Sequence, residues 1–370
     1  MEEATGIRAG ETVERYDRIE PLAEEWDALV SEVGGTPFLR PGWIERAWRI
    51  RRGSSVLGIL ALRREGRLAA VLPFHRRRNP RRLGLRTVSC WFSEWVGEGI
   101  VARDPEAARA LLAALLTTRP ASATLATVDF DPALSRAIEE AATGSGYRLL
   151  VQRRRRGPVV DFSWQSLEEY RSGLDRKFSK ELRRCQRRLQ EMGSVTLEVA
   201  TTWDEGLFEE GLALEAAGWK GRAGTAILSR SFDARFYREI ARWAGERGIL
   251  VLAALRAGER RVAFELGLLD GGVYYALKGG YDPTYASFSP GNLLTYRMLE
   301  WVSEHGQAYE FLGDAESYKL RFSTRCRTYL RIDAFRPTPA PTLVGHLLSR
   351  ARAGSARGLA VRAMPKSGPP

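Results

Sequence analysis

The period of hydrophobic and polar positions changes most sharply between Val273 and Phe322. Val273-Tyr274-Tyr275-Ala276-Leu277-Lys278 has the composition of a strand, Gly279-Gly280 interrupts it, and Tyr281-Asp282-Pro283-Thr284-Tyr285-Ala286-Ser287-Phe288 leads on to Ser289-Pro290-Gly291-Asn292. Beyond that point Leu293, Leu294, Met298, Trp301 and Val302 recur at helical spacing. A helix is therefore predicted from Pro290, whose missing N–H loses nothing in a first turn, with Ser289 as its N-cap. Gln307 to Gly313 reads as a strand and glycine turn, and Glu316 to Phe322 as a short polar-aromatic helix. A strand feeding a helix through small residues leaves uncommitted N–H groups at the positive end of the helix dipole, where phosphate is readily held. The same pattern also serves plain helix initiation, so capping chemistry alone assigns no ligand.

Two other stretches read as hairpins. Val56 to Arg63 and Arg67 to Phe74 flank Arg64-Glu65-Gly66; Leu250 to Arg256 and Arg261 to Leu269 flank Ala257-Gly258-Glu259-Arg260. Ala61-Leu62-Arg63 matches Ala254-Leu255-Arg256, and Ala70 matches Ala263 in the same register, the short repeat that a duplicated lobe would leave. The first half continues with a helix at Pro105 to Leu116, a strand at Ala123 to Phe130, a helix at Pro132 to Ala142 and a strand at Tyr147 to Gln152, with no counterpart of Ser-Pro-Gly. Arg153-Arg154-Arg155-Arg156-Gly157-Pro158 reads as a charged joint, which sets lobes at 1–155 and 156–336. Residues 337–370, rich in Pro, Gly, Ala and Arg, read as a basic, mobile tail.

After the joint comes a helix in which Phe178, Leu182, Cys185 and Leu189 form one packing stripe, while Arg176, Lys177, Lys180, Arg183, Arg184, Arg187 and Arg188 occupy the rest. With a net charge of +12 over 370 residues, this face is either solvated or a surface for an anion: CoA phosphates, a nucleotide sugar, tRNA or an acidic glycan. No stretch reaches the length of a membrane span, and the polar, acidic start differs from a signal peptide, so a cytoplasmic enzyme is expected. Cys90, Cys185 and Cys326 are too scattered for a disulfide framework or a zinc site, and His75, His305 and His346 cannot form a His-rich metal site. His305, just before Gly306, suits the C-terminal end of the helix dipole. Acid–base chemistry is left to carboxylates, tyrosines and lysines, and no metal is expected.

The order Tyr275-x-x-Lys278-x-Gly280-Tyr281-Asp282, then Ser289-Pro290-Gly291, then Phe311-Leu312-Gly313 and Tyr318-Lys319 resembles the C-terminal half of the GNAT superfamily. Within it the match is to the BioF2-like (CelD/BcsL) acetyltransferase branch, which is related to the Fem peptidyltransferases. The resemblance runs from about Phe178 to Tyr329. It implies an α/β fold of two tandem GNAT-like lobes with mixed, mostly antiparallel sheets flanked by helices, the second lobe carrying the site. By position it implies that Ser289, Pro290, Gly291 and Asn292, with Lys278, hold the pyrophosphate of an acyl-CoA co-substrate. Trp219 and Lys220 would border the acceptor, together with Tyr318 and Lys319. Two departures stand out: the usual Arg/Gln-x-x-Gly-x-Gly/Ala loop is absent, and Glu310 replaces the aspartate common before the Phe-Leu turn.

Acyl transfer needs a proton acceptor near the attacking amine or hydroxyl and donors for the oxyanion. The candidate bases are Glu265, Asp314 and Asp282, in that order, with Tyr281 as a proton donor; Glu265 leads because it interrupts an otherwise apolar strand. Strand periodicity alone equally allows Glu265 to lie on a polar outer face. Three classes follow: an acyl-CoA-dependent N- or O-acyltransferase acting on a sugar, amino acid or small metabolite; a Fem-like aminoacyl-tRNA-dependent transferase; or a non-catalytic binding protein of a polysaccharide locus.

Overall fold

Near-continuous apolar runs, such as 57–62 and 250–255, build the sheets of two units, one made of residues up to Arg155 and from Thr328, the other of Arg156–Arg327. The computed structural model describes residues 8, 10–51, 53, 55–78, 86–90, 99–129, 131–163 and 166–337. Its elements begin with β1 (Glu11–Tyr16), α1 (Ala23–Glu32), α2 (Pro41–Arg51), β2 (Val56–Arg64), β3 (Arg67–Arg78), β4 (Arg86–Ser89), β5 (Val101–Ala102), α3 (Pro105–Thr117), β6 (Ser122–Asp129), α4 (Pro132–Gly144) and β7 (Arg148–Asp161). There follow α5 (Leu167–Gly173), α6 (Arg176–Gln190), β8 (Val195–Ala200), α7 (Glu205–Ala217), α8 (Trp219–Arg222), α9 (Ser231–Glu246), β9 (Leu250–Ala257), β10 (Arg260–Asp270) and β11 (Val273–Tyr281). The last are α10 (Pro290–His305), β12 (Ala308–Glu310), α11 (Ser317–Leu320) and β13 (Arg325–Phe335).

The two units repeat one topology. Strands run β1-β2-β3-β4-β6-β13 in the first, with β5 beside β3, and β8-β9-β10-β11-β12-β7 in the second. In each, the fourth and fifth strands are the parallel pair, β4 with β6 and β11 with β12, bridged by a crossover containing α3 or α10. The hairpins agree residue by residue: Leu62 faces Ala70 and Leu255 faces Ala263, and in both the register slips just before that alanine. The weak sequence repeat is thus the trace of a duplicated architecture.

Each unit has its own core. Leu72, Phe74, Leu111, Leu115, Ile138 and Ile332 are buried together in the first, and Phe178, Leu182, Cys185, Tyr274, Met298 and Tyr309 in the second. Burying such a side chain contributes about 1.5–3 kcal/mol. The α6 stripe packs as its spacing predicts, with Phe178, Leu182, Cys185 and Leu189 all buried. Among the described residues no helix is long and apolar enough to cross a membrane.

Several expectations are corrected. Gly279-Gly280 do not break the strand; both lie inside β11. A Cβ on Gly280 would come within 2.4 Å of Glu215 Cα, so that glycine is where α7 lies down on the sheet. The arginine run 153–158, read as a charged joint, lies inside β7, and the division between the units falls within it, after Arg155. Pro283–Phe288, which leads on to Ser289, forms a 3₁₀ helix, because the Asp282 carboxylate accepts from Thr284 N and starts the turn. Residues 329–335, read with the second lobe, pair with β6 in the first unit. The expected tail beyond residue 337, with His346, lies outside the described residues.

Candidate active site

The second unit opens where its parallel strands part. β11 and β12 are paired only at Val273↔Ala308, Tyr274↔Tyr309 and Tyr275↔Glu310. β11 then continues to Tyr281 alongside β10, whereas Phe311 N turns to the carbonyl of Pro158 in β7. Its β12-side edge beyond Tyr275 has no strand partner among the described residues. In open α/β sheets ligands gather outside the carboxyl ends of strands at such a divergence.

The helix after this edge starts without a side-chain cap. Ser289 does not act as the predicted N-cap: it is held in the left-handed region at φ +49°, and its side chain bonds to no amide of α10. The first intrahelical bond runs from Leu293 N to Ser289 O. Pro290 has no N–H, so the amides of Gly291 and Asn292 are open donors at the positive end of a 16-residue helix. Asp104, Asp131, Ser166, Asp175 and Asp204, by contrast, each cap their own helix with a side-chain oxygen. Gly291 also keeps the helix start clear: a Cβ there would meet only Tyr281 at 3.4 Å, an ordinary contact.

Glu265, opposite Gly279 on β10, is buried at 8 % exposure. Its Oε1 accepts hydroxyl protons from Tyr309 at 2.7 Å and Tyr274 at 2.9 Å. Burial pushes the carboxyl up to about 7, against the opposing pull of Tyr309, Tyr274 and the Lys220 charge. Gly267 makes this arrangement possible, since a Cβ there would stand 2.3 Å from the Tyr274 ring. Lys220 is placed by Gly279, whose carbonyl accepts from its Nζ at 2.6 Å, and by Glu215 at 3.4 Å. Glu215 is itself buried and accepts from Ile227 N at 2.8 Å. Lys220→Met should remove a charge that favours ionised Glu265, so any activity limited by that carboxylate should acquire an acidic limb at higher pH; a pH–rate profile of the variant tests the sign.

The other predicted residues are scattered around this centre. Tyr281 is exposed beside Gly291, and the Lys278 ammonium lies 5.4 Å from the Tyr237 ring centroid. Asp282 is committed to Thr284, accepting from its N–H and from its hydroxyl at 2.7 Å. Asp314 accepts weakly from Arg156 N at 3.4 Å. Lys319 is buried, its Nζ donating to Leu312 O at 3.0 Å and paired with Glu316 at 3.1 Å, so the charge expected beside the acceptor holds the Phe311-Leu312-Gly313 turn. Tyr318 is exposed next to it, its ring centroid 5.7 Å from that ammonium. Trp219 begins α8, and its side chain lies outside the described residues. His305 ends α10 as expected, bonded to Trp301 O at 2.7 Å and stacked on the Trp301 ring.

Sequence reading did not find the partners of Glu265. Tyr274 and Tyr309 looked like strand filler, and only their pairing across β11 and β12 brings both hydroxyls to one oxygen. The duplication supplies a comparison inside the molecule. Counting two residues on from the matched alanines, Glu265 corresponds to Leu72, which is fully buried and apolar. The α10 start corresponds to that of α3, where the Asp104 carboxylate occupies the Ala107 amide and would repel an anion. Both features that could serve chemistry are therefore confined to the second unit.

Residues 176–320 match the family described as acetyltransferase (GNAT) domain. No curated protein matches the chain. Among solved structures, FemX aligns at a TM-score of 0.61 and 15% identity, covering 90% of this chain and 99% of FemX. A conserved protein of unknown function from Bacteroides thetaiotaomicron aligns at 0.56 and 11%, covering 88% and 100%. L-PGS from Bacillus licheniformis aligns at 0.50 and 14%, covering 89% and 95%. At these identities the alignments speak for the fold alone, and together with the family match they support one conclusion: residues 176–320 are similar to the GNAT acetyltransferase domain, in a chain whose fold is similar to that of FemX.

Proposed function

We propose that this protein is an acyltransferase of the BioF2-like kind, moving an acyl group from acyl-CoA to an amine or hydroxyl of a sugar, amino acid or small metabolite. The observation that carries the reading is Glu265: a buried carboxyl, set near 7 and oriented by two phenols, on the strand beside the diverging edge. A base with a pKa close to the working pH combines availability with proton affinity. Oε1 is engaged by Tyr274 and Tyr309, which leaves Oε2 to take the acceptor's proton, directly or through a water, as the acceptor attacks. The unpaired edge of β11 beyond Tyr275 is where N–H donors for the oxyanion are expected.

The helix start fits the co-substrate. Open amides at Gly291 and Asn292, an absent cap and an absent Cβ are what a pyrophosphate requires. Bound acyl-CoA would supply the activated acyl group; the chain's own residues hold it, orient the acceptor and remove the proton. Gly291→Leu should weaken acetyl-CoA binding by about 1–3 kcal/mol, the scale of lost backbone–anion hydrogen bonds, while the protein remains folded. Calorimetry on the variant decides it: unchanged affinity removes this helix from the site. A thermal-shift series with acetyl-CoA, free CoA, longer acyl-CoAs and charged tRNA tests the donor, and stabilisation by charged tRNA alone would replace the reading with an aminoacyl-tRNA-dependent one.

A further inference from the structure

A cavity of about 710 Å³ lies among α5, α6 and α10, lined by six basic residues against two acidic ones. Its lining includes neither Glu265 nor any residue of Ser289–Asn292, so it is distinct from the site above. The two carboxylates are already answered. Glu300 is paired with Arg171 and with Arg297 at 2.9 Å, and Glu168 with Arg171 at 3.4 Å. Arg171 also donates to the Tyr296 hydroxyl, which fixes the floor of the cavity.

Four cations remain. Arg176, Lys177, Lys180 and Arg183 line the cavity, and none has an acidic partner among the described residues. Arg176 and Lys180 are four apart on α6 and Lys180 and Arg183 three apart, spacings at which like charges repel. The Ser179 hydroxyl, also in the lining, is buried and makes no hydrogen bond among the described residues. A buried hydroxyl without a partner is unusual, and here it sits amid unneutralised charge. Leu174, Leu182 and the Tyr296 ring add apolar surface. The helix face opposite this arrangement behaves differently: Glu181 pairs with Arg321, and Arg188 covers the Phe288 ring at 5.0 Å. A merely solvated basic face accounts for neither the cavity nor the idle hydroxyl.

We infer that this cavity is a second binding site, for a nucleotide-sized ligand bearing two or more clustered phosphates. The volume is that of a small-molecule pocket. Guanidinium and ammonium groups converging from three successive turns suit adjacent phosphates, the Ser179 hydroxyl supplies a neutral donor, and the Tyr296 ring supplies a face for a base.

The test uses the full chain and calorimetry with inorganic tripolyphosphate and with ADP in metal-free buffer. Both should bind, more weakly as salt rises. Arg176→Gln/Lys180→Gln/Arg183→Gln should weaken them by about tenfold or more, as expected for lost charge-assisted contacts. Arg184→Gln/Arg187→Gln, on the same helix but outside the lining, should change affinity by less than about threefold, the screened effect of exposed charge that does not touch the ligand. All five side chains are exposed, so the variants should fold. Absence of binding, or equal weakening by both variants, overturns the inference. A 20-nucleotide single-stranded RNA that binds and loses affinity equally in both variants would make α6 an extended nucleic-acid face instead. Displacement of tripolyphosphate by acetyl-CoA, or its loss in Gly291→Leu, would merge the cavity with the acyl-donor site and likewise sink the claim of a second one.

Discussion

Replacing Glu265 with glutamine is expected to lower turnover by about 10²–10⁴-fold, the usual worth of a general base, while making the protein more stable near neutral pH. The two effects share a cause. Burial raises the carboxyl from its ordinary 4.5 to about 7, so ionised Glu265 opposes folding. The favourable contribution of the neutral form is fully present below about pH 4.5 and is lost as pH climbs from there through about 7. That interval corresponds to about 3 kcal/mol at 1.36 kcal/mol per pH unit. Glutamine keeps an oxygen for Tyr274 and Tyr309 and never ionises, so its denaturant stability should not fall over this range. Wild-type turnover should rise with pH through about 7 and then level, because only the ionised carboxylate accepts a proton. Asp282→Asn and Asp314→Asn, at residues serving a turn and a backbone amide, should keep that limb. If Glu265→Gln retains both the limb and the turnover, proximity or a substrate-borne group carries the chemistry.

Gly280→Ala should cost about 1–3 kcal/mol or more, the scale of overpacking a filled interior. The added Cβ would lie 2.4 Å from Glu215 Cα, 2.8 Å from Glu215 N and 3.0 Å from Leu214 O, all backbone atoms of a helix that cannot step aside singly. α7 must lift from β11, and with it go Glu215 and the alignment of Lys220 on the Gly279 carbonyl. Gly173→Ala is the matching control, because a Cβ there meets nothing within 4 Å. Chemical denaturation of the two variants should separate them clearly; a Gly280→Ala protein as stable as wild type would mean that α7 does not rest on this glycine.

Much of the architecture was legible in the chain. The spacing of apolar residues is local, so the hairpins, α6 with its packing stripe, and the helix from Pro290 follow from that spacing and from proline's suitability for a first helical turn. Glu265 could be singled out as a charge in an apolar run, but strand periodicity left its face open and only the packed sheet buries it. Other features depended on what lies across the sheet. Gly279-Gly280 read as a break because glycine in isolation permits a turn; they stay in β11, where α7 lies against the missing side chain of Gly280 and the β10 backbone against that of Gly279. Ser289 read as a cap, yet the preceding 3₁₀ helix delivers it in a left-handed conformation from which its hydroxyl does not bond to the first turn. Lys319 read as an acceptor contact and is engaged by a turn carbonyl.

The sequence by itself determined most of the elements, their order and the candidacy of Glu265, since these rest on local pattern and on the cost of placing charge in an apolar strand. Only the tertiary structure decided which groups answer that carboxylate. Tyr274 and Tyr309 are 35 positions apart in number and become neighbours through a parallel pair with a helix between them, a contact that no local spacing encodes. The same holds for the asymmetry of the two units: Leu72 and Asp104 acquire meaning only when the shared register sets them against Glu265 and the open start of α10.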